Sequence, residues 1–94
     1  MREQMGRLIR SGSSRRDIRE LDRHVGARLR GRRIMLGVTQ TELARLIGVT
    51  CQQLHKYERG IERITAGQLF KLAAALNVDL GYFYERLRGE RQPS

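Results

Sequence analysis

The chain has 94 residues, of which 31% are charged, and it carries a formal net charge of +9 at pH 7. This length accommodates one small domain, so we do not expect a separate large sensor domain. The positive charge favours a polyanionic partner, either nucleic acid or an anionic membrane surface. No apolar run reaches the length of a signal peptide or a transmembrane helix, which predicts a cytoplasmic protein that no membrane anchors.

The positive charge is concentrated at the N-terminal end. Residues 1–37 contain 11 arginines and four acidic residues, and residues 1–20 combine arginine with the flexible stretch Ser11–Ser14. Because no long apolar stripe is present, we predict a flexible basic arm over residues 1–20. Two interpretations stay open: an arm that follows phosphates or enters a minor groove, and a solvated extension.

A first helix of about fourteen residues is predicted after this arm, with Asp22 as its cap and Gly37 as its end. Its apolar residues recur at about one or two helical turns, at Leu21, Val25, Leu29 and Leu36. Its outer face is mainly basic, with Arg23, Arg28, Arg30 and Arg32. Such a face is more often solvated than bound to a ligand.

Residues 40–59 predict two short helices joined by a tight turn. Thr39 with Glu42, and Thr50 with Gln53, have the spacing of a capping box, in which two residues bind each other's backbone N–H groups. Gly48 is suited to a left-handed conformation between the helices. The small Ala44 allows them to cross closely, which argues against an ordinary helical hairpin. The expected inward-facing residues are Leu43, Ile47, Val49, Leu54 and Tyr57.

Two further helices complete the predicted domain, which spans residues 21–88. Thr65 and Gln68 form a third candidate capping box, and Asn77 is a suitable end for that helix. The apolar spacing there involves Leu69, Leu72, Ala73 and Leu76. Asp79 is the expected cap of a last helix, which carries Leu80, Phe83, Tyr84 and Leu87. With a disordered tail over residues 89–94, the sequence predicts an all-α domain of about five helices.

The residues that enzymes and metal sites require are scarce. The single cysteine, Cys51, cannot form an internal disulfide, and the two histidines are far apart in the sequence. There is no Cys/His cluster for a metal, no phosphate-binding loop and no paired carboxylates. We therefore expect no catalytic activity, no metal or cofactor, and no small-molecule effector.

Three segments resemble the Cro/C1-type helix-turn-helix family, also known as the xenobiotic-response-element family. They are RRIMLGVTQTELARLIGVT, QQLHKYERG and LFKLAAALNVDLGYFYE, and the resemblance extends over residues 24–87. It implies a compact five-helix, lambda-repressor-like fold that binds operator DNA.

The resemblance also implies roles for individual residues. Gln40 corresponds to a glutamine that touches the DNA backbone and braces the recognition helix, and Arg33 and Glu58 correspond to a structural ion pair. Base-edge positions of the recognition helix, at about residues 50–59, are Cys51, Gln52, His55 and Lys56. Expected phosphate-binding or positioning residues, besides Gln40, are Thr50, Gln53, Arg59, Arg63 and Arg33.

Cys51 departs from the family pattern, because many relatives carry glutamine or serine there. A small cysteine either touches a thymine methyl group or leaves room for Gln52. A redox-sensing thiol is the alternative, since a helix N-terminus lowers a thiol pKa.

The leading functional hypothesis is a sequence-specific repressor that binds double-stranded DNA as a homodimer and reads an inverted repeat. The expected dimer contacts are in the last helix, at Tyr82, Phe83, Arg86 and Leu87. The alternative is an antitoxin or a partner-binding adaptor in which DNA binding is secondary.

Overall fold

The computed structural model describes residues 15–87, which form four α-helices and a 3-10 helix and contain no strand. The elements are α1 (Arg15–Met35), α2 (Gln40–Ile47), α3 (Cys51–Arg59), α4 (Ala66–Leu76) and the 3-10 helix (Leu80–Tyr84). The predicted all-α class is confirmed. The predicted last α-helix is instead the 3-10 helix, and the side chain of Asp79 makes no capping hydrogen bond there.

Helix α1 is longer than predicted, at 21 residues, because it begins at Arg15. Residues 15–20 therefore belong to α1 and not to a flexible arm; the remainder of the predicted arm and the predicted tail lie outside the described residues. An apolar side continues into these first turns, where Ile18 and Leu21 line a shallow cavity with Ile64 and Leu69. Asp22 lies inside the helix, and its carboxylate accepts a hydrogen bond from Arg63 instead of capping.

The three predicted capping boxes differ in completeness. At α2 both hydrogen bonds are present, since Thr39 Oγ1 accepts from Glu42 N at 3.0 Å and Glu42 Oε1 accepts from Thr39 N at 2.9 Å. At α3 and α4 the threonine hydroxyls cap as predicted, but the glutamines do not reciprocate. Gln53 binds Glu62 instead, and the buried Oε1 of Gln68 has no partner among residues 15–87.

All four α-helices and the 3-10 helix contribute to the hydrophobic core. Its members are Val25, Leu29, Leu43, Ala44, Ile47, Leu54, Tyr57, Leu69, Leu72, Ala73, Leu76 and Phe83. Most predicted inward positions are therefore confirmed. Leu21 and Leu36 are exceptions, at 37% and 43% exposed, because Leu21 lies at the rim of a cavity and Leu36 in the turn after α1.

Two arginines of the predicted basic outer face are not on that face. Arg28 donates to the carbonyl of Tyr82 at 3.0 Å, pairs with Glu85 at 2.9 Å, and lies 4.0 Å from the centre of the Tyr82 ring. Arg32 donates to the carbonyl of Leu76 at 3.0 Å. Both side chains fasten α1 to the C-terminal part of the domain, since they bind carbonyls at the ends of α4 and the 3-10 helix.

The 3-10 helix changes the predicted dimer surface. Phe83 is fully buried, with its ring 5.8 Å from that of Tyr82 in an edge-to-face arrangement, so it belongs to the core and not to an interface. Tyr82 is half-buried and Leu87 is partly exposed. Arg86 is exposed and has a positive φ of 64°, which shows that no α-helix continues through it.

Helices α1 and α3 approach each other at backbone distance. A Cβ atom on Gly26 would lie 2.4 Å from the carbonyl oxygen of Tyr57, and one on Gly60 would lie 2.7 Å from the Cα of Arg23. Real Cβ atoms essentially never come so close to backbone. The two glycines therefore set the spacing between the first helix and the C-terminal end of α3.

Candidate nucleic-acid interface

The turn between α2 and α3 has the predicted geometry. Gly48 has a φ of 77°, in the left-handed region, and its N–H group points to the carbonyls of Ala44 and Arg45. The N–H of Val49 donates to Ala44 at 3.0 Å, and the Ala44 side chain is buried. These bonds close the end of α2 and turn the chain into the N-cap of α3.

Helix α3 presents one polar side to solvent. Gln52, His55, Lys56 and Arg59 are all exposed, and their spacing of three and four residues places them on a single helix face. Cys51 is exposed beside them at the first turn. The opposite side, with Leu54, Tyr57 and Glu58, is buried. All the predicted base-reading residues therefore lie on one accessible surface, which we call the recognition face.

A buried ion pair lies behind the recognition face, between the two residues that the family resemblance implied. Arg33 donates to both carboxylate oxygens of Glu58, at 2.6 Å and 3.1 Å, and to the carbonyl of Val38 at 2.9 Å. The Glu58 side chain is 1% exposed. The hydrogen bond from Arg33 to Glu58 is the main reason that the pKa of Arg33 is raised.

Gln40 joins this pair to the start of α2. Its Nε2 donates to Glu58 Oε1 at 2.9 Å, so its predicted brace to α3 is present in the structure. The Arg33 side chain is only 11% exposed, and its three nitrogens donate hydrogen bonds within the fold. The structure thus supports the structural role of Arg33 and leaves little of its guanidinium to bind a phosphate.

The other predicted phosphate-binding residues differ in availability. Arg59 is exposed, and Arg63 is 65% exposed in its side chain although its Nε lies 3.3 Å from Asp22 Oδ2. Gln53 is half-buried and donates to Glu62 at 3.1 Å. The hydroxyl of Thr50 accepts from the Gln53 N–H. The two arginines are therefore open to a ligand, whereas Thr50 and Gln53 already have partners within the fold.

Cys51 makes one contact that its sequence position did not reveal. Its Sγ lies 3.6 Å from Thr41 Oγ1, so the first turns of α2 and α3 touch at the surface. Across residues 15–87, no group of three or more His, Cys, Asp or Glu side chains is placed to hold a metal ion. No helix in that range is long and apolar enough to cross a membrane.

Sequence reasoning missed the residues that hold α3 from the side of α1. Gly26 is the main one, and a glycine inside a helical pattern was the available signal. Glu62, in the loop after α3, was also missed: it binds Gln53 and contributes, after burial, to the raised pKa of Tyr57. Neither role follows from local sequence, because each depends on an element that packs from elsewhere in the chain.

Two helices around a left-handed glycine, the second with one exposed polar side, define a helix-turn-helix protein. Residues 29–83 match the family model described as "Helix-turn-helix". The chain belongs to the Cro/C1-type helix-turn-helix family, and it is a transcriptional regulator with a DNA-binding domain of this kind.

Relatives and solved structures agree with this assignment. A transcriptional regulator in the ATPase CF(0) region of Rhodospirillum rubrum is 49% identical over 79 residues, which cover 83% of this chain and 73% of the relative. A helix-turn-helix regulator of Sinorhizobium fredii is 45% identical over 75 residues, covering 80% of this chain and 52% of the relative. The chain thus spans about half the length of the Sinorhizobium protein.

Two solved structures share the fold. The clp gene regulator ClgR of Corynebacterium glutamicum superimposes with a TM-score of 0.67 at 31% identity, over 68% of each chain. The restriction-modification controller protein C.AhdI of Aeromonas hydrophila superimposes with a TM-score of 0.62, also at 31% identity. That match covers 65% of this chain and 92% of C.AhdI.

Proposed function

We propose that this protein is a sequence-specific repressor that binds double-stranded DNA as a homodimer, with α3 in the major groove. The observation that carries the proposal is the recognition face, where Gln52, His55, Lys56 and Arg59 are exposed on one side of a short helix. A helix of this kind fits the width of the major groove, where each base pair presents a distinct pattern of donors and acceptors.

The side chains of the recognition face suit different parts of the groove. Gln52 offers an amide that can bind adenine through two hydrogen bonds or guanine through one. Lys56 reads a guanine or meets a phosphate, and Cys51 contributes a small surface beside Gln52. Arg59 and Arg63, with Gln40 at the start of α2, are suited to phosphates and fix the register without reading sequence.

A dimer is proposed because a single α3 covers only a few base pairs. Two copies with their recognition helices about 34 Å apart would meet successive major grooves on one side of the duplex. We place the dimer contact on the exposed side of the 3-10 helix and the residues after it. Leu80 and Tyr84 are 45% and 40% exposed there, next to Arg86 and Leu87, and part of Tyr82 is accessible. This surface omits the buried Phe83.

Repression is the proposed outcome because a compact domain seated across a promoter blocks polymerase without needing further parts. The match with the controller protein C.AhdI covers 92% of that chain, which bears on the size of a regulator of this kind and not on the sign of regulation. In that protein, a fold of this size makes up almost the whole chain.

Selection from random DNA tests sequence specificity and dimeric binding together. The purified full chain is expected to enrich an inverted repeat whose half-site centres are about 10 base pairs apart. Gln52→Ala serves as the control, and it should change the enriched bases at one position of each half-site. Salt-sensitive binding with no enriched sequence would overturn the proposal, and enrichment of a single half-site would overturn dimeric binding.

Transcription in vitro tests the sign of regulation. A template carrying the selected site over a promoter should yield less transcript as the protein is added, and a template with a scrambled site should not respond. An increase in transcript from the first template would contradict repression.

A further inference from the structure

We propose that α1 carries a second DNA-backbone site, formed by Arg16, Arg19, Arg23 and Arg30, which binds phosphates beside the half-site that α3 occupies. We call these four residues the α1 ridge. The inference rests on the proposed function, since it concerns the same bound DNA, and it extends that function to a helix outside the helix-turn-helix pair.

The α1 ridge is a single stripe on a long helix. Arg16, Arg23 and Arg30 follow one another at intervals of seven residues, a spacing that rotates only about 20° around a helix each time. Arg19 lies one turn from Arg23 on the same side. From Arg16 to Arg30 the helix rises about 21 Å, which is long enough to lie beside several phosphates of one DNA strand.

The ridge arginines differ from Arg28, Arg32 and Arg33 of the same helix in what they contact. All four are exposed, and none makes a hydrogen bond or ion pair within residues 15–87. In contrast, hydrogen bonds within the fold engage the guanidinium groups of Arg28, Arg32 and Arg33. The helix thus separates three arginines that hold the domain together from five, Arg15 and the four of the ridge, that are exposed to a partner.

The ridge continues directly from the recognition helix. Gly60, which ends α3, packs against the backbone of Arg23, where an added Cβ would lie 2.8 Å from Arg23 Cγ. Arg59 precedes this glycine, and Arg63 reaches Asp22, the residue before Arg23. Arg23, Arg59 and Arg63 therefore all lie near the C-terminal end of α3.

The charges around the ridge favour binding of a polyanion such as DNA over simple exposure to solvent. Three acids lie on α1 near the ridge: Asp22 is paired with Arg63 and is 16% exposed in its side chain, and Asp17, which follows Arg16, is half-buried. Glu20 is exposed at the border of the ridge and offsets one of its four charges. A guanidinium group loses less freedom per hydrogen bond to a phosphate than an ammonium group does, and each contact releases counterions from DNA.

The test measures how affinity depends on salt, using the full chain and a duplex that carries the selected operator with its flanks. The ridge variant is R16Q/R23Q, and the control variant is R45Q/K71Q, which removes two exposed charges from α2 and α4. Circular dichroism and thermal melts verify that both variants fold. The same titrations on random DNA, and with a duplex cut at the edge of the half-sites, separate ridge contacts from base reading.

On the flanked operator, R16Q/R23Q should weaken binding roughly ten- to thirtyfold at 0.15 M salt and make the slope of log K against log salt shallower by about 2. Random DNA should lose affinity in the same proportion, and the shortened duplex should respond less. Equal slopes for the ridge and control variants, with operator preference intact, would overturn the ridge while leaving the proposed function standing. If wild-type protein prefers no sequence, the proposed function fails instead, whatever the ridge variant does.

Discussion

The guanidinium of Arg33 holds the carboxylate of Glu58 through two hydrogen bonds, at 2.6 Å and 3.1 Å, and so ties the end of α1 to the last turn of α3. Gln40 binds the same carboxylate from α2. Together with the close packing at Gly26 and Gly60, this pair fixes α3 from behind while its recognition face stays open. The angle at which α3 meets DNA is therefore set as much by α1 as by the neighbouring α2.

The Arg33–Glu58 pair should behave as a coupled unit. Glu58→Met leaves a nearly buried guanidinium without its partner, and we expect it to lower the free energy of unfolding by about 3–5 kcal/mol. Arg33→Met should cost a similar amount, whereas the double variant should lose clearly less than the sum, since neither charge then remains unpaired. Urea unfolding of all four proteins measures the coupling. Strictly additive losses would show that the two side chains do not act together.

Two glycines of α1 differ in whether an added methyl group would meet neighbouring atoms, so they form a matched pair for mutation. Gly26→Ala places a Cβ atom against the backbone of α3 and should destabilise the fold by about 1–3 kcal/mol or more. Gly31→Ala, on the same helix, meets nothing within 4 Å and should stabilise it by about 0.5–1 kcal/mol. Thermal or urea unfolding distinguishes the two. A Gly26→Ala protein as stable as wild type would contradict the close approach of α1 and α3.

Two glutamines should separate base reading from positioning. Gln52→Ala is expected to cost about 1–3 kcal/mol on the selected operator and little on random DNA, because an exposed amide in the groove discriminates between bases. Gln40→Ala should weaken both by a similar factor, since phosphate contacts carry no sequence code. Fluorescence anisotropy on both duplexes measures these losses. Equal losses for Gln52→Ala on the two duplexes would remove it as a base reader.

The capping box of α2 should give a pH-dependent contribution to stability. The pKa of Glu42 is lowered from the ordinary 4.5, chiefly by the hydrogen bond from the Thr39 backbone and then by the Thr39 side chain. A carboxyl with a lowered pKa in the folded state stabilises the fold above its unfolded value, and this contribution disappears as pH falls through the lowered pKa.

Glu42→Gln keeps an acceptor for Thr39 but removes the charge. The difference in unfolding free energy between wild type and Glu42→Gln should be constant above about pH 5 and shrink as the solution becomes more acidic. Urea unfolding between pH 7 and pH 3 measures it. A difference that does not change over this range would mean that the folded and unfolded carboxyls titrate alike.

Most core positions and the starts of α2, α3 and α4 could be predicted closely, because capping and helical spacing depend on neighbours in the sequence. A threonine reaches the N–H group three residues ahead, and apolar residues at helical spacing share one face. The length of α1 was not predictable in the same way. Its first turns are rich in arginine and have low hydropathy. Only the tertiary structure shows that the helix starts at Arg15, with Ile18 and Leu21 beside Ile64 and Leu69.

The direction of each charged side chain was the feature that was hardest to predict from the sequence. Arg28 and Arg30 are both arginines on one helix, yet Arg28 binds Tyr82 and Glu85 while Arg30 is exposed. Gln53 had the right spacing for a capping box but met Glu62 instead. In both cases, the partner that decides the direction of the side chain lies outside the helix to which the residue belongs. The local preference of the residue therefore did not reveal that partner.

The sequence by itself determined that two capped helices flank a left-handed glycine and that the residues after the second cap are polar, because caps, turns and helical periods are short-range properties. Tertiary structure decided which of those residues a ligand can reach. It buried Glu58 against Arg33 and Phe83 in the core, and it left the recognition face and the α1 ridge exposed. The physical reason is that exposure and ion pairing depend on contacts between helices, which no local pattern specifies.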